Sequence, residues 1–348
     1  MATILSDSSQ ATTRSWRGLI SIPNILSLDA PLVAIGWQWL IRSAFVDPAA
    51  SPVQPNGTPM MTASTVVLFM TVWLIYTADR LLDCRRMNFC RNAAPRHRFA
   101  KRWSSLLWPL WCVVLITGGL IAFTYLHREL LFGGGILLGF VALYAAAVHD
   151  APSRRRGLPK EFIVGSLFAI GVSLPVVTSR VTFSLVVTIA LMAALFVLNC
   201  LCVATAQRPS DRQQGMDSAV LMYPQLSVYL PWLAGGLATV SAGLGIGGWI
   251  PLSIATPTSL SSFLLIPIAW SIDDRPHHPS SSHPSSSHPS SSHPSSSHPS
   301  SSHPSSSQCS SSQCSSSQCS TSPCNSSSLG ELADFALLSP FLVMAIVT

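Results

Sequence analysis

The chain has 348 residues, of which 48% are hydrophobic and only 10% charged, whereas soluble domains carry about 25% charged residues. The mean hydropathy is +0.43, which excludes an ordinary water-soluble domain. The formal net charge of +6 is therefore attributed to membrane topology and to contact with anionic lipid headgroups. No nucleic-acid partner is expected, because that function requires a basic face on a folded soluble domain.

The predicted elements begin with a polar N-terminal tail at 1–24, after which nine apolar runs follow. A helix needs roughly 20 mostly apolar residues to cross a hydrocarbon core of about 30 Å. The sequence therefore predicts an all-α, polytopic transmembrane bundle of about nine spans, with spans one to eight within 25–272 and a last transmembrane helix within 329–348. The runs lie near 25–45, 61–79, 104–126, 129–148, 161–178, 182–206, 226–248, 251–271 and 331–348.

The placement of the basic residues predicts the orientation of these spans. Basic residues near helix ends favour the cytoplasmic side, and in this arrangement all but three of the 20 Lys and Arg residues fall on one side. The exceptions are Arg42, Arg128 and Arg180. We therefore expect a multi-pass protein of the plasma (inner) membrane with a cytoplasmic N-terminus. No obligate protein partner is expected.

A low-complexity insertion is predicted at 273–328. It holds six His-Pro-Ser-Ser-Ser pentads from His278 to Ser307, followed by three Gln-Cys-Ser pentads. A ladder of His or Cys side chains could bind metal, but a flexible chain with Pro at every fifth position presents no fixed ligand geometry. The alternative is a disordered repeat in a solvated loop, where added length costs little closure entropy. The spacing of the nine cysteines matches neither a zinc site nor a disulfide framework.

Span two ends with two carboxylates four residues apart, Asp79 and Asp83, which share one face of a helix. Like charges at this spacing repel each other. A divalent metal between them, bridging to a phosphate-rich ligand, would relieve that repulsion, and magnesium is the natural candidate. The alternative is a solvated helix end at which these carboxylates pair with Arg80, Arg85 or Arg86.

The two following loops carry more charged residues. A basic cluster before the fifth span could hold an anion, although anchoring by the positive-inside rule explains it equally well. After the sixth span, Asp211 follows Arg208 and adds a carboxylate to the same membrane face. Within that span, Asn199 implies an interhelical bond or a ligand contact, because a buried amide is costly without a partner. The basic cluster consists of Arg154, Arg155, Arg156 and Lys160.

These features together resemble the UbiA prenyltransferase superfamily over residues 25–272 and 329–340. In that family nine helices enclose a lipid-accessible cavity, and two aspartate-rich motifs bind the diphosphate of an isoprenoid donor through magnesium. In this sequence Ile75 and Tyr76 stand where the first motif has an Asn-Asp pair, and Gln207 stands at an aspartate position of the second. The residues that carry the resemblance are Ala78-Asp79-Arg80 with Asp83, the basic loop, the helix Lys160 to Pro175 with Gly165 and Gly171, and Asp211 with Gly215.

The resemblance implies a magnesium-dependent enzyme that moves an isoprenoid group from a polyprenyl diphosphate to a lipophilic acceptor, for which an aromatic compound is expected. The isoprenoid tail would lie in the apolar interior, where burial contributes about 0.8 kcal/mol per CH₂. The implied catalytic and metal-binding residues are Asp79, Asp83 and Asp211. The implied diphosphate-binding residues are Arg80, Arg154, Arg155, Lys160 and Arg208, and the implied substrate-pocket residues are Tyr76, Asn199 and Gln207.

Two alternatives to the enzyme come from different classes of protein. The missing motif positions favour a catalytically degenerate UbiA-like membrane protein that binds lipid or isoprenoid without transfer. An ordinary transporter would place charges within the membrane, and the candidates are Asp29 and Asp334. Because Asp29 opens span one just before Pro31, its position is more typical of an N-terminal helix cap than of an ion relay.

Overall fold

A computed structural model describes residues 26–46, 60–86, 95–150, 160–179, 181–214, 218–273 and 332–341. Every regular element within these ranges is a helix. The helices are α1 (Asp29–Phe45), α2 (Met60–Arg86), α3 (Pro95–Arg102), α4 (Ser104–Tyr125), α5 (Arg128–Asp150), α6 (Lys160–Val177), α7 (Phe183–Gln214), α8 (Ala219–Met222), α9 (Leu226–Ile246), α10 (Leu252–Asp273) and α11 (Leu332–Phe341).

The predicted all-α, multi-pass architecture is confirmed. Within the described ranges seven helices are long and apolar enough to cross a membrane, namely α2, α4, α5, α6, α7, α9 and α10, and they coincide with predicted spans two to eight. Helix α1 has 17 residues and corresponds to predicted span one, while α11 covers only part of predicted span nine. The predicted tail at 1–24, and the insertion at 273–328 apart from Asp273, lie outside the described residues.

The bundle is organised around α7, which packs against α6, α9 and α10, while α1 packs against α2 and α6. The interior is filled by large side chains with almost no exposure, among them Trp37, Met192 and Leu230. Helices α6 and α7 approach each other closely at Gly165, where an added Cβ would lie 2.6 Å from the backbone nitrogen of Val197. Only glycine permits this contact, so the α6–α7 pair depends on that residue.

Helices α4 and α5 lie at the edge of the bundle. Helix α4 packs mainly on α2, and α5 packs on α6. In the most apolar 18-residue stretch of each of these helices only 6% is buried, so most of their apolar surface is available to lipid. A lipid-facing helix needs no protein partner for that surface, because acyl chains are as apolar as Leu.

Five helices line one common cavity, and this convergence positions the site. Helices α1 and α11 contribute residues of their first two turns, and α6 contributes residues of its second and third turns, whereas the lining residues of α2 and α7 lie ten or more positions before the C-terminal ends of those helices. Residues from the early turns of three helices therefore lie beside residues from the interior of two others.

Candidate functional site

A small cavity with several polar side chains in its lining lies between α1, α2, α6, α7 and α11. Its volume is about 30 Å³, enough for roughly two water molecules. The polar lining comes from α1, α2, α7 and α11, whereas α6 contributes an apolar wall. The lining residues are Asp29, Tyr76, Asn199, Cys200 and Asp334, together with the apolar or small residues Ala30, Val33, Val164, Gly165, Phe168, Phe196 and Leu337.

A side-chain hydrogen bond joins α7 to α11 at this cavity. The Nδ2 atom of Asn199 donates to Oδ1 of Asp334 over 3.1 Å, which confirms that the amide predicted to need a partner makes an interhelical bond. Asn199 is only 5% exposed, and its Oδ1 atom is buried without a hydrogen-bond partner in the described part of the chain. The cavity therefore offers a water or a ligand hydroxyl one unused acceptor.

A second bond fixes α11 against α1. The indole Nε1 of Trp37 donates to the backbone carbonyl of Leu337 over 3.0 Å, and this bond is buried. The N-cap position of α1 belongs to Leu28, so the prediction that Asp29 caps this helix is wrong by one residue. Asp29 instead stands in the first turn and lines the cavity. Two carboxylates from opposite ends of the sequence, Asp29 and Asp334, thus meet at one small space.

The first acidic motif of this chain, Asp79 and Asp83, follows the cavity-lining residue Tyr76 on α2. Asp83 follows Tyr76 by seven residues, which places both within about 20° of each other around a helix of 3.6 residues per turn. Asp79 lies about 60° away on the same count. Asp83 is partly buried and Asp79 is exposed. Since Tyr76 lines the cavity, Asp83 lies on the side of α2 that faces it.

The second acidic motif, at Gln207 and Asp211, follows the cavity-lining residue Cys200 on α7. Gln207 and Asp211 follow Cys200 by seven and eleven residues, and each therefore lies within about 20° of Cys200 around the helix. Asp211 is only 9% exposed. Because Cys200 and Tyr76 line the same cavity, both acidic motifs follow cavity-lining residues on the same faces of their helices.

The carboxylates do not form a metal-binding cluster by themselves. Among the side chains that the structure describes, no group of three or more His, Cys, Asp or Glu residues could hold a metal ion. Magnesium in phosphate-handling sites is bound by one or two carboxylates together with phosphate oxygens and water. Any one or two of Asp79, Asp83 and Asp211 could supply such carboxylates, and a magnesium site at these residues stays a prediction.

The predicted diphosphate-binding residues are distributed over different places. Arg80 is only 8% exposed, but it lines a groove on the outside of the bundle rather than the cavity. Lys160 begins α6 and is partly buried, and Arg208 is partly buried in α7. Arg154 and Arg155 lie outside the described residues. The structure therefore does not bring Arg80 into the cavity that Tyr76 and Asn199 line.

Sequence reasoning missed the role of Glu161. This side chain is 4% exposed, and its Oε1 and Oε2 atoms accept hydrogen bonds from the backbone nitrogen of Ala219 over 3.2 and 3.3 Å. It thereby ties the first turn of α6 to the segment that follows the second acidic motif. An acidic residue directly after a basic cluster, at the start of an apolar span, was the available sequence signal.

Comparison with known proteins yields a structural likeness. No protein-family model matches the chain, and no curated protein matches it. A solved structure of a digeranylgeranylglyceryl phosphate synthase in membranes is similar, with 16% sequence identity and a TM-score of 0.40. The match covers 76% of this chain and 88% of that chain. At these values the likeness assigns no activity, so the function of this chain has to be argued from its own residues.

Proposed function

We propose that this chain is a membrane-embedded prenyltransferase that moves an isoprenoid group from a polyprenyl diphosphate to a lipophilic, aromatic acceptor. One observation carries the proposal: α2 and α7 line the same cavity, and Asp83 and Asp211 follow the cavity-lining residues Tyr76 and Cys200 on the same faces of these helices. Departure of a diphosphate requires charge stabilisation at a water-poor site. The end of a membrane bundle with acidic residues from two helices is suited to that task.

The proposed roles follow from the chemistry of each side chain. Asp79, Asp83 and Asp211 would hold magnesium, which supplies positive charge to the diphosphate when bound. Lys160 and Arg208 would hold diphosphate oxygens by charge-assisted hydrogen bonds. The predicted roles of Arg154 and Arg155 are the same. The densely packed helices beyond the cavity would exclude water, which otherwise captures the allylic group before the acceptor does.

The cavity itself limits what can enter it. A volume of about 30 Å³ admits a hydroxyl group or water, but not an isoprenoid chain. This cavity is therefore not the place of the isoprenoid tail, and the expectation that the tail lies in the apolar bundle interior stays a prediction. Under the proposal Tyr76 and Asn199 would contact a polar substituent of the acceptor, and Asn199 has an unused buried acceptor atom with which to do so.

The full-length protein in lipid nanodiscs tests the proposal. It is incubated with radiolabelled prenyl diphosphates, magnesium and a panel of aromatic acceptors, and diphosphate release and prenylated product are both measured. We expect Asp79→Asn, Asp83→Asn and Asp211→Asn each to lower turnover by about a hundredfold or more, the scale of losing one charge-stabilising group. Glu129→Gln is the matched control, because Glu129 is exposed in the first turn of α5. Equal activity of all four variants would refute the assigned roles.

A second candidate is a degenerate relative that binds isoprenoid or lipid without transfer. The observation that favours it is the combination of a very small cavity with Tyr76 and Gln207 at positions where the resemblance expects acidic residues. In the same experiment this candidate predicts saturable binding of the labelled prenyl diphosphate with no diphosphate release for any acceptor. Release that depends on acceptor and magnesium would exclude it.

A further inference from the structure

A groove follows the outer side of α2, between α1 and α4. It has two lobes, of about 300 Å³ and about 370 Å³, and both are lined by Leu28, Trp73 and Leu110. One lobe reaches Arg80 and the other reaches Thr65. These two residues are 15 positions apart on α2, so the groove is about 22 Å long at 1.5 Å per residue. One leaflet of a bilayer, headgroups included, is about 20–22 Å thick. The groove therefore has the length of a single lipid molecule.

Most of the groove is apolar. The side chains of Ile35 in α1, Phe69 in α2 and Val114 in α4 line the lobe that is further from Arg80. Helices α1 and α4 each pack on α2, and the groove separates one from the other. On the α4 side, Leu106 and Leu110 are 58% and 43% exposed. An acyl chain can therefore enter the groove directly from the bilayer.

The end of the groove near Arg80 is polar. Thr77 is 4% exposed and lines this end. Its hydroxyl is buried and has no hydrogen-bond partner among the described residues, although a helical Thr commonly bonds a carbonyl of the preceding turn. Trp103 lines the same lobe, and Trp is enriched in membrane proteins at the level of the lipid headgroups. This end therefore matches a headgroup and offers it a hydroxyl donor.

Positive charge surrounds the same end. Phe99 of α3 lines the groove, and two later residues of that helix, Lys101 and Arg102, are exposed. Cys84 lies within electrostatic range of both Arg80 and Lys101, which places these two cations close to each other. The polar end is therefore complementary in charge to an anionic headgroup, while the rest of the groove is suited to a hydrocarbon chain.

This end is separate from the residues assigned to the diphosphate of the transfer reaction. At 100° per residue, Thr77 lies about 120° from Asp83 and about 160° from Asp79 around α2. The proposed diphosphate ligands Lys160 and Arg208 lie on α6 and α7, and neither residue lines the groove. The groove therefore calls for a second molecule, one that is anionic at one end and apolar along the rest.

We propose that the groove binds one anionic phospholipid of the surrounding bilayer, with its phosphate at Thr77, Arg80 and Lys101 and an acyl chain along α2. The Thr77 hydroxyl donates to a phosphate oxygen, and the two cations add charge-assisted hydrogen bonds. Basic pockets between transmembrane helices recognise anionic headgroups in this way. The bound chain fills the space between α1 and α4 and joins both helices to α2. This site does not depend on the proposed transfer reaction.

Photo-crosslinking tests the location and the headgroup together. The full-length protein in phosphatidylcholine nanodiscs receives a small fraction of phosphatidylglycerol with a diazirine in its acyl chain, or phosphatidylcholine with the same diazirine. We expect phosphatidylglycerol to label the α2 segment around Met70 at least about fivefold more than phosphatidylcholine, the ratio given by one basic contact of about 1 kcal/mol. The lipid-facing α5 segment around Phe140, which is 58% exposed, should show no preference. Equal labelling around Met70 by the two lipids would overturn the proposal.

A pair of substitutions on α4 tests whether the groove itself holds the lipid. Leu110→Trp fills the junction of the two lobes, whereas Leu120→Trp places the same side chain ten residues away at a position that does not line the groove. Both leucines are exposed, by 43% and 61%, so neither change disturbs the core. We expect Leu110→Trp to abolish the preference for phosphatidylglycerol around Met70 and Leu120→Trp to preserve it. The same preference in both variants would contradict the proposal.

The headgroup end is tested by removing its donors. Lys101→Gln and Thr77→Val, which keeps the side-chain shape, should each lower the labelling ratio about twofold to fivefold, the scale of one hydrogen bond. Arg128→Gln is the control, because Arg128 is exposed at the start of α5 and does not line the groove. An unchanged ratio in both groove variants would refute the headgroup contacts.

Competition distinguishes the phospholipid from a prenyl diphosphate, which also joins an anionic end to a hydrocarbon chain. Unlabelled geranylgeranyl diphosphate is added at the concentration of the phosphatidylglycerol probe. We expect the labelling around Met70 to persist, because the proposed diphosphate ligands lie on other helices. Loss of that labelling would show that the groove prefers the prenyl diphosphate and would overturn the phospholipid assignment.

Discussion

Helices α7 and α4 are both long apolar spans, yet they differ in burial. The most apolar 18-residue stretch of α7 is 56% buried, whereas the corresponding stretch of α4 is only 6% buried. In a membrane, apolar composition does not distinguish a helix that faces protein from one that faces lipid, because both surroundings are apolar. The difference lies in shape and in polar side chains. Helix α7 meets a glycine of α6 and carries the buried Asn199, whereas α4 buries little beyond Gly118.

The largest expected effect comes from adding one methyl group where α6 packs against α7, and the matched control adds a methyl group on the lipid-facing helix α5. Gly165→Ala would place a Cβ 2.6 Å from the backbone nitrogen of Val197, and such overpacking costs about 1–3 kcal/mol of unfolding free energy. Gly139→Ala in α5 is the matched control, since no heavy atom beyond its own helix neighbourhood lies within 4 Å of that Cβ. It should be neutral or stabilising by about 0.5–1 kcal/mol. Unfolding in mixed micelles measures both, and similar values for the two variants would remove the distinction between packed and lipid-facing sides.

A smaller effect is expected from removing a hydrogen-bonding side chain on the packed helix α7, compared with the same change on the lipid-facing helix α4. Asn199→Ala removes the bond to Asp334 and should cost about 1 kcal/mol, within the range measured for hydrogen bonds between membrane helices. Thr124→Ala on α4 removes only bonds to the carbonyls of Leu120 and Ile121 in the same helix and should cost almost nothing. The same unfolding assay applies. A Thr124→Ala effect as large as that of Asn199→Ala would show that burial does not control the strength of these bonds.

The smallest effect sharpens the comparison within a single helix. The hydroxyl of Ser261 in α10 donates to the backbone carbonyl of Ala336 in α11 over 2.7 Å and is buried. Ser271, further along α10, is exposed and donates only to the carbonyl of Pro267 in its own helix. We expect Ser261→Ala to cost about 0.6 kcal/mol, the average for such bonds in membranes, and Ser271→Ala to cost less. Protease protection of α11 in nanodiscs provides a second readout that only Ser261→Ala should lower.

The spans could be predicted from the sequence, but the surroundings of the site residues could not. Asp79, Asp83 and Asp211 follow the cavity-lining residues Tyr76 and Cys200 at helical spacing, and that spacing can be recognised in the sequence. The pairing of Asn199 with Asp334 was not, because these residues are 135 positions apart and each span alone is compatible with many neighbours. Likewise, Arg80 was predicted among the site residues, whereas the outer groove that it lines depends on how α1, α2 and α4 pack.

The sequence by itself determined that the chain is a multi-pass helical membrane protein, because a run of about 20 apolar residues has few other stable solutions in lipid. It also determined which spans carry acidic and basic ends. Tertiary structure alone decided that Asp29, Tyr76, Asn199 and Asp334 share one cavity of about 30 Å³ and that a larger apolar space lies between α1, α2 and α4. The physical reason is that hydrophobicity drives helices into the bilayer but does not select their neighbours, which are chosen by close packing and a few polar bonds.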